Sequence, residues 1–156
     1  MKIRSILAMT VVMSSFATSF LSSCTSMEDE GTGYPLKLKA TIETTGGVTE
    51  NALTKESPCH VVAYSREKVC SSFYFLFEAN AYLSGDGGLQ WTGKYRYWPG
   101  VYTKFIAYWP ADANVVLNDS GDVISADCSL IAISEPYCHF TENPVLHFQP
   151  YTEAGR

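Results

Sequence analysis

Apolar and polar side chains alternate strictly along residues 34–43, which read YPLKLKATIE. One side of an extended chain would carry Leu36, Leu38, Ala40 and Ile42, and the other side would carry mainly lysine, threonine and glutamate. A period of two residues is typical of a β-strand that buries one face. The stretch therefore predicts that the folded body begins with a half-buried strand.

Short apolar segments follow this strand, with clusters of turn residues between them. We predict further strands within 60–64, 71–79, 89–98, 101–109, 123–134 and 145–148. The segment 71–79 has bulky side chains on both faces, which predicts a strand buried on both sides. Pro99-Gly100 separates two aromatic strands and predicts a hairpin. Because no window has a helical period with caps, the pattern indicates an all-β body, a β-sandwich or barrel, over 34–156.

The amino terminus has the order of a secretory signal peptide. Two basic residues lie within the first four positions, an apolar and small-residue stretch follows, and Leu21-Ser22-Ser23-Cys24 closes it. The ending resembles a bacterial lipobox, which predicts a signal peptide at 1–23 and a lipid on Cys24. A spanning helix is disfavoured because the apolar stretch is short and diluted by serine and threonine, whereas a span needs about 20 mostly apolar residues.

The segment after Cys24 is polar and acidic. Residues 24–33 contain Glu28, Asp29 and Glu30 and two glycines, which predicts a flexible tether. Removal of 1–23 leaves nine basic and sixteen acidic residues, a formal charge of −7. This charge argues against binding of nucleic acid and against electrostatic docking on anionic lipid, both of which require basic patches. The expected attachment to a membrane is therefore through the lipid on Cys24.

Four cysteines remain beyond the predicted anchor, which is an even number in an exported protein. Candidate disulfides involve Cys59, Cys70, Cys128 and Cys138, and sequence leaves their pairing open. A disulfide between residues 59 and 70 would close one short loop, and a disulfide between residues 128 and 138 would close another. His60 and His139 each follow a cysteine, but the spacings lack the pattern of a zinc site, so no metal is expected.

Chemistry for catalysis is missing from the sequence patterns. No GxSxG, HExxH or phosphate-binding glycine loop occurs, so we expect no enzyme and no cofactor. Aromatic residues crowd 91–109 instead. Exposed Trp91, Trp98 or Trp109 would suit a glycan-binding surface, whereas buried rings would fill the core, and alternation favours the core for about half of them.

The aromatic block YRYWPGVYTKFIAYWP at 95–110 resembles a block of the fimbrillin-like lipoproteins of Bacteroidetes, the type V pilin superfamily. The lipobox, the acidic residues 28–30 and the strand at 71–79 stand in the order used by that family. Glu28, Asp29 and Glu30 also resemble the export signal that sends lipoproteins of these bacteria to the cell surface. The resemblance covers about residues 1–110. It implies an antiparallel β-sandwich like the fimbrillin N-terminal domain, truncated at Arg156 relative to the family, and a location at the cell surface.

The resemblance also implies a function. Fimbrillin-like proteins are structural or adhesive components of cell-surface pili, and their subunits join by strand exchange. Residues 36–43 match the removable strand of that family. Shaft subunits are cut after an arginine in the following loop, whereas the loop 44–58 here holds Lys55 and no arginine, and the first arginine beyond it is Arg66. The expected role is a lipid-anchored pilus component or accessory, with other subunits, host or bacterial surface glycans, or surface proteins as partners, and the alternative is an outer-membrane glycan-binding lipoprotein.

Overall fold

The computed structural model describes residues 33–43, 52–99, 102–137 and 143–151. Its elements are β1 (Leu38–Ile42), β2 (Cys59–Arg66), β3 (Tyr74–Leu83), β4 (Gly88–Trp91), β5 (Tyr102–Trp109), β6 (Asn114–Leu117), β7 (Val123–Asp127), β8 (Leu130–Ile133) and β9 (Val145–Pro150). The described residues contain no helix, so the predicted all-β class is confirmed. Accordingly, a search of these residues for an apolar helix of membrane-spanning length finds none.

Seven strands close into a barrel in the order β1-β4-β3-β2-β5-β8-β9, and β6 and β7 form a separate two-stranded sheet. All neighbours in the barrel are antiparallel except β1 and β9, which run parallel. The predicted antiparallel sandwich therefore differs from the observed architecture. The physical reason is the placement of β1, which pairs with β4 on one edge and with β9 on the other and so joins two edges that a sandwich would leave apart.

Inward-facing side chains from every barrel strand meet in one core. The buried members are Leu36, Leu38, Ala40, Ala52, Leu53, Cys59, Val61, Ala63, Ala81, Leu89, Trp98, Phe105, Ala107, Leu130, Ala132, Leu146 and Phe148. Alternate residues of β1 point into it, as the period of two at 34–43 predicts. Full burial of one large aliphatic side chain contributes about 1.5–3 kcal/mol, so this inner cluster supplies most of the driving force for folding.

A second, outer cluster lies on the other face of β2 and β5. Val62, Tyr64, Ile106 and Tyr108 are buried there beneath residues of the β6–β7 sheet and its flanks. The strands buried on both faces are therefore β2 and β5. The prediction of two buried faces for 71–79 is wrong, because none of these residues is fully buried and Phe75 remains 53% exposed.

Three further features of the strands differ from prediction. The hairpin across Pro99 is wrong, since β4 pairs with β1 and β3 while β5 pairs with β2 and β8. The stretch 123–134 is two strands, with β7 in the outer sheet and β8 in the barrel. The sequence reasoning missed β6. A partner distant in sequence decided the first outcome, since β5 pairs with β2, whereas the missed β6 is a strand of only four residues that pairs with its neighbour β7.

The chain returns to the barrel soon after β1. Ala52 and Leu53 are buried in the inner cluster, and the Leu53 carbonyl accepts a hydrogen bond from the Leu83 amide at 2.7 Å. Leu53 has a φ of 58°, the left-handed region that a bulky residue adopts only when its surroundings demand it. Burial of its side chain offsets that backbone cost, so this leucine fixes the point at which the loop re-enters the core.

Candidate functional site

The first strand is the element on which the candidate function depends. Four residues of β1 pair with β9 in parallel register, from Lys39 opposite Val145 to Ile42 opposite Phe148. Its antiparallel pairing with β4 is shorter and includes Leu38 opposite Leu89. Parallel pairing is slightly less stable per residue than antiparallel pairing. The strand is thus held mainly by its buried side chains and by one parallel seam.

The β1–β4 seam opens toward the start of β1. Beyond Trp91 the chain leaves the sheet and returns at Arg96, whose carbonyl accepts a hydrogen bond from the Leu36 amide at 2.8 Å. Pro35 then pairs with Tyr97 through an isolated bridge. The excursion at 92–95 leaves a space between the two segments. We call this space the β1–β4 groove; it has a volume of about 660 Å³.

Aromatic rings and cations line this groove. Its described lining includes Trp91, Tyr95, Tyr97, Lys37, Lys39 and Arg96. The Tyr95 side chain is 77% exposed, whereas tyrosine side chains in folded proteins are usually at least partly buried. The Arg96 guanidinium lies 4.8 Å from the Phe77 ring centroid, and its Nε is buried without a hydrogen-bond partner.

One carboxylate, that of Asp86, belongs to the described lining of the groove. The Ser84 hydroxyl donates a hydrogen bond to it, and the Gly88 amide donates another at 2.9 Å. These hydrogen bonds, with a smaller contribution from the charge of Lys39, lower the pKa of Asp86. The carboxylate is therefore occupied in closing the turn between β3 and β4, and three cations outnumber it around the groove.

The three tryptophans singled out from the sequence do not form one surface. Trp98 is 2% exposed and stacks edge to face on Phe105 in the inner core, so its assignment as a glycan contact is wrong. Trp109 is half-buried, and its Nε1 donates to the Ser57 carbonyl at 3.0 Å. Trp91 packs against the inner core and is the one tryptophan of the three in the described lining of the groove.

The described cysteines are free thiols in three different environments. Cys59 is buried in the inner cluster, Cys70 is exposed after β2, and Cys128 packs against the outer cluster. The eight-residue strand β2 separates Cys59 from Cys70, a span of about 25 Å at the usual rise per residue. The short-loop disulfide between them is therefore excluded by the fold. Cys138 lies outside the described residues.

We expect alkylation to distinguish these thiols. Burial raises the pKa of Cys59 to about 12, and burial with the nearby charge of Asp127 raises that of Cys128 to about 11. At pH 8 such thiols are at most about 0.1% ionised, and the thiolate is the reacting form. Iodoacetamide should therefore label Cys70 in the folded protein, whereas Cys59 and Cys128 should be labelled only after unfolding, as peptide mass mapping would reveal. Rapid labelling of Cys59 in the folded state would contradict its buried position.

Several predicted site residues cannot be placed. The anchor Cys24 and the acidic residues Glu28, Asp29 and Glu30 lie outside the described residues. Within the described ranges, no group of three or more histidine, cysteine, aspartate or glutamate side chains is arranged to hold a metal ion. From the sequence, Tyr95 belongs to the aromatic residues at 91–109 but only the tryptophans were singled out as glycan contacts, and Arg96 was given no role.

No family model, curated protein sequence or solved structure matches this chain.

Proposed function

We propose that this chain is a surface-exposed lipoprotein of fimbrillin type, tethered through a lipid on Cys24, with a structural or adhesive role as a component or accessory of a cell-surface pilus. The observation that carries the proposal is the position of β1 between β4 and β9. It is the first strand of the body, it follows the predicted tether, and its pairing with β9 is the one parallel seam of the described barrel.

The seams on either side of β1 support its role as an exchangeable strand. Departure of β1 would uncover the main-chain edges of β4 and β9 together with inner-core side chains such as Leu89, Leu146 and Phe148. A groove with two free strand edges and an apolar floor accepts an extended segment with alternating apolar residues, which is the mode of strand addition. Residues 36–43 have that alternation.

The loop after β1 argues for retention of the lipid. A cut at Lys55 would remove Ala52 and Leu53 together with β1, although both are buried in the inner core. Arg66, the first arginine beyond the tether, ends β2, and its guanidinium lies 4.6 Å from the Phe73 ring centroid. Neither basic residue offers a cut that frees β1 and leaves the rest of the core whole. An anchored accessory therefore fits these contacts better than a processed shaft subunit.

The Cys24→Ala variant tests the anchor. Cells producing the intact chain should incorporate labelled palmitate into it, and the variant should lose that label because the thiol that accepts the lipid is gone. Exposed Cys70 provides the matched control, since a Cys70→Ala chain should be labelled fully. Continued labelling of the Cys24→Ala chain would reject the lipobox.

Strand exchange is tested by an immunoblot of the same cells with and without boiling in detergent. Assembly through exchanged strands should give a ladder of bands that disappears on heating, because long main-chain pairing resists detergent and not heat. A single band near the mass of the lipidated monomer in both lanes would reject polymerisation and leave an unpolymerised surface lipoprotein.

A further inference from the structure

We propose that the β1–β4 groove binds an acidic oligosaccharide, with Tyr95 as the stacking platform and Lys37 and Arg96 as the groups that meet its carboxylate. This assignment goes beyond a pilus or anchoring role. It also differs from a glycan surface built on Trp98 and Trp109, since neither lines the groove.

The rings in the groove favour a sugar. The Tyr95 ring is 77% exposed, and Trp91 and Tyr97 are half-buried. The groove therefore has one exposed ring and two rings that pack partly against the protein. An aromatic ring offers a flat apolar face with a polar edge, which suits a sugar that has an apolar face and hydroxyl groups around its rim. Gln90 and Asn143 add amide groups that can both donate to and accept from hydroxyls.

The charges in the groove favour an acid. The whole chain has a formal charge of −5, yet Lys37, Lys39 and Arg96 stand around the groove with Asp86 as the one described carboxylate. In the described part of the chain, neither Lys37 nor Arg96 forms an ion pair. A carboxylate on the ligand would meet cations that no described acidic side chain pairs, and charge-assisted hydrogen bonds of this kind are about twice as strong as neutral ones.

The size of the groove sets the length of the ligand. A volume of about 660 Å³ lies in the middle of the range for small-molecule sites, so the groove has room for a short oligosaccharide. The groove also needs β1 in place, because Lys37 and Lys39 belong to the segment that forms one wall. A free or anchored monomer is therefore the form that should bind.

Isothermal titration of the full chain in detergent with a galacturonic acid trisaccharide tests this proposal. We expect saturable binding with one site per chain, and at least about fivefold weaker binding of the neutral galactose trisaccharide, which lacks the carboxylates. Tyr95→Ala and Lys37→Ala should each weaken binding of the acidic sugar about tenfold. The affinity of the Lys37→Ala variant for the acidic sugar should also fall less with added salt than the affinity of the parent chain does.

Two control variants keep the result specific. Tyr74 is an exposed ring on β3 and Lys68 is an exposed cation after β2, and neither lines the groove. Tyr74→Ala and Lys68→Ala should leave the affinity within about twofold of the parent value. Equal weakening by these controls, equal affinity for the neutral sugar, or no saturable binding would each overturn the proposal. Equal or tighter binding of triglutamate would assign the groove to acidic peptides and overturn it as well.

These outcomes are separate from those of the pilus proposal. A heat-labile ladder without sugar binding would reject the groove assignment alone. Sugar binding by a chain that gives a single monomer band would retain the groove and reject assembly.

Discussion

A Leu38→Asp chain is expected to be unfolded in buffer. Leu38 is 1% exposed in the inner cluster and is supplied by β1. The substitution buries an unpaired carboxylate and removes an aliphatic side chain, and such changes cost about 4–5 kcal/mol or more. The lost side chain alone costs about 2–5 kcal/mol and the buried charge adds several more, so the sum is comparable to the usual total stability of about 5–15 kcal/mol. Circular dichroism and a urea titration would measure the loss.

Two further substitutions in the same segment calibrate this effect. Leu38→Ala leaves a cavity without a charge and should lower the free energy of unfolding by about 2–5 kcal/mol. The neighbouring Lys37 points outward and is exposed, so Lys37→Asp should change stability by about 0.5 kcal/mol or less. A stable fold of the Leu38→Asp chain would mean that β1 is not a core strand of the isolated protein.

The same variant separates a permanent strand from an exchangeable one. A synthetic peptide of residues 34–43 carries the native Leu38 and can pair with β4 and β9 in place of the defective strand. If the strand is exchangeable, the peptide should restore the folded spectrum of the Leu38→Asp chain, and a peptide with the Leu38→Asp change should not. Failure of the native peptide at millimolar concentration would argue that β1 folds only as part of its own chain.

The sequence predicted those parts of the fold that depend on local pattern. The alternation at 34–43 predicted the inward face of β1, and clusters of turn residues between the strands form turns at 84–88 and 118–122. The parallel pairing of β1 with β9 joins residues more than one hundred positions apart. No local pattern encodes such a partner, so the sequence could not decide between a sandwich and the closed barrel.

The site was less predictable than the fold. Sequence pointed to tryptophans as glycan contacts, yet Trp98 supports the core by stacking on Phe105. Tyr95 is exposed because the chain leaves β4 after Trp91 and returns at Arg96, an excursion with no signature beyond Gly93. The course of the chain decides whether an aromatic residue fills a core or faces solvent, and composition alone does not predict that course.

Gly121→Ala is expected to lower the free energy of unfolding by about 2–5 kcal/mol. Gly121 has a φ of +84°, a conformation that costs a residue with a Cβ about 1–2 kcal/mol. A Cβ at this position would also lie 2.6 Å from Cδ2 of Tyr64, whose ring is buried in the outer cluster. The ring would have to move, and forced repacking of this kind typically costs about 1–3 kcal/mol.

Gly87 offers a matched control for the backbone part of this cost. Its φ is +85°, and a Cβ at this position would have no heavy atom within 4 Å beyond its chain neighbours. Gly87→Ala should therefore show the backbone cost alone, about 1–2 kcal/mol in a urea titration. Equal losses for the two variants would contradict a close contact between Gly121 and Tyr64.

A double-mutant cycle attributes the remaining cost to the ring. In a Tyr64→Ala background the ring atoms that crowd Gly121 are absent, so Gly121→Ala should cost only as much as Gly87→Ala does. The coupling between the two substitutions should then equal the repacking cost, about 1–3 kcal/mol. Such a coupling would show that the turn between β6 and β7 packs directly on the Tyr64 ring of the outer cluster. Tyr64 also packs edge to face against Phe75, so its ring links this turn to β3.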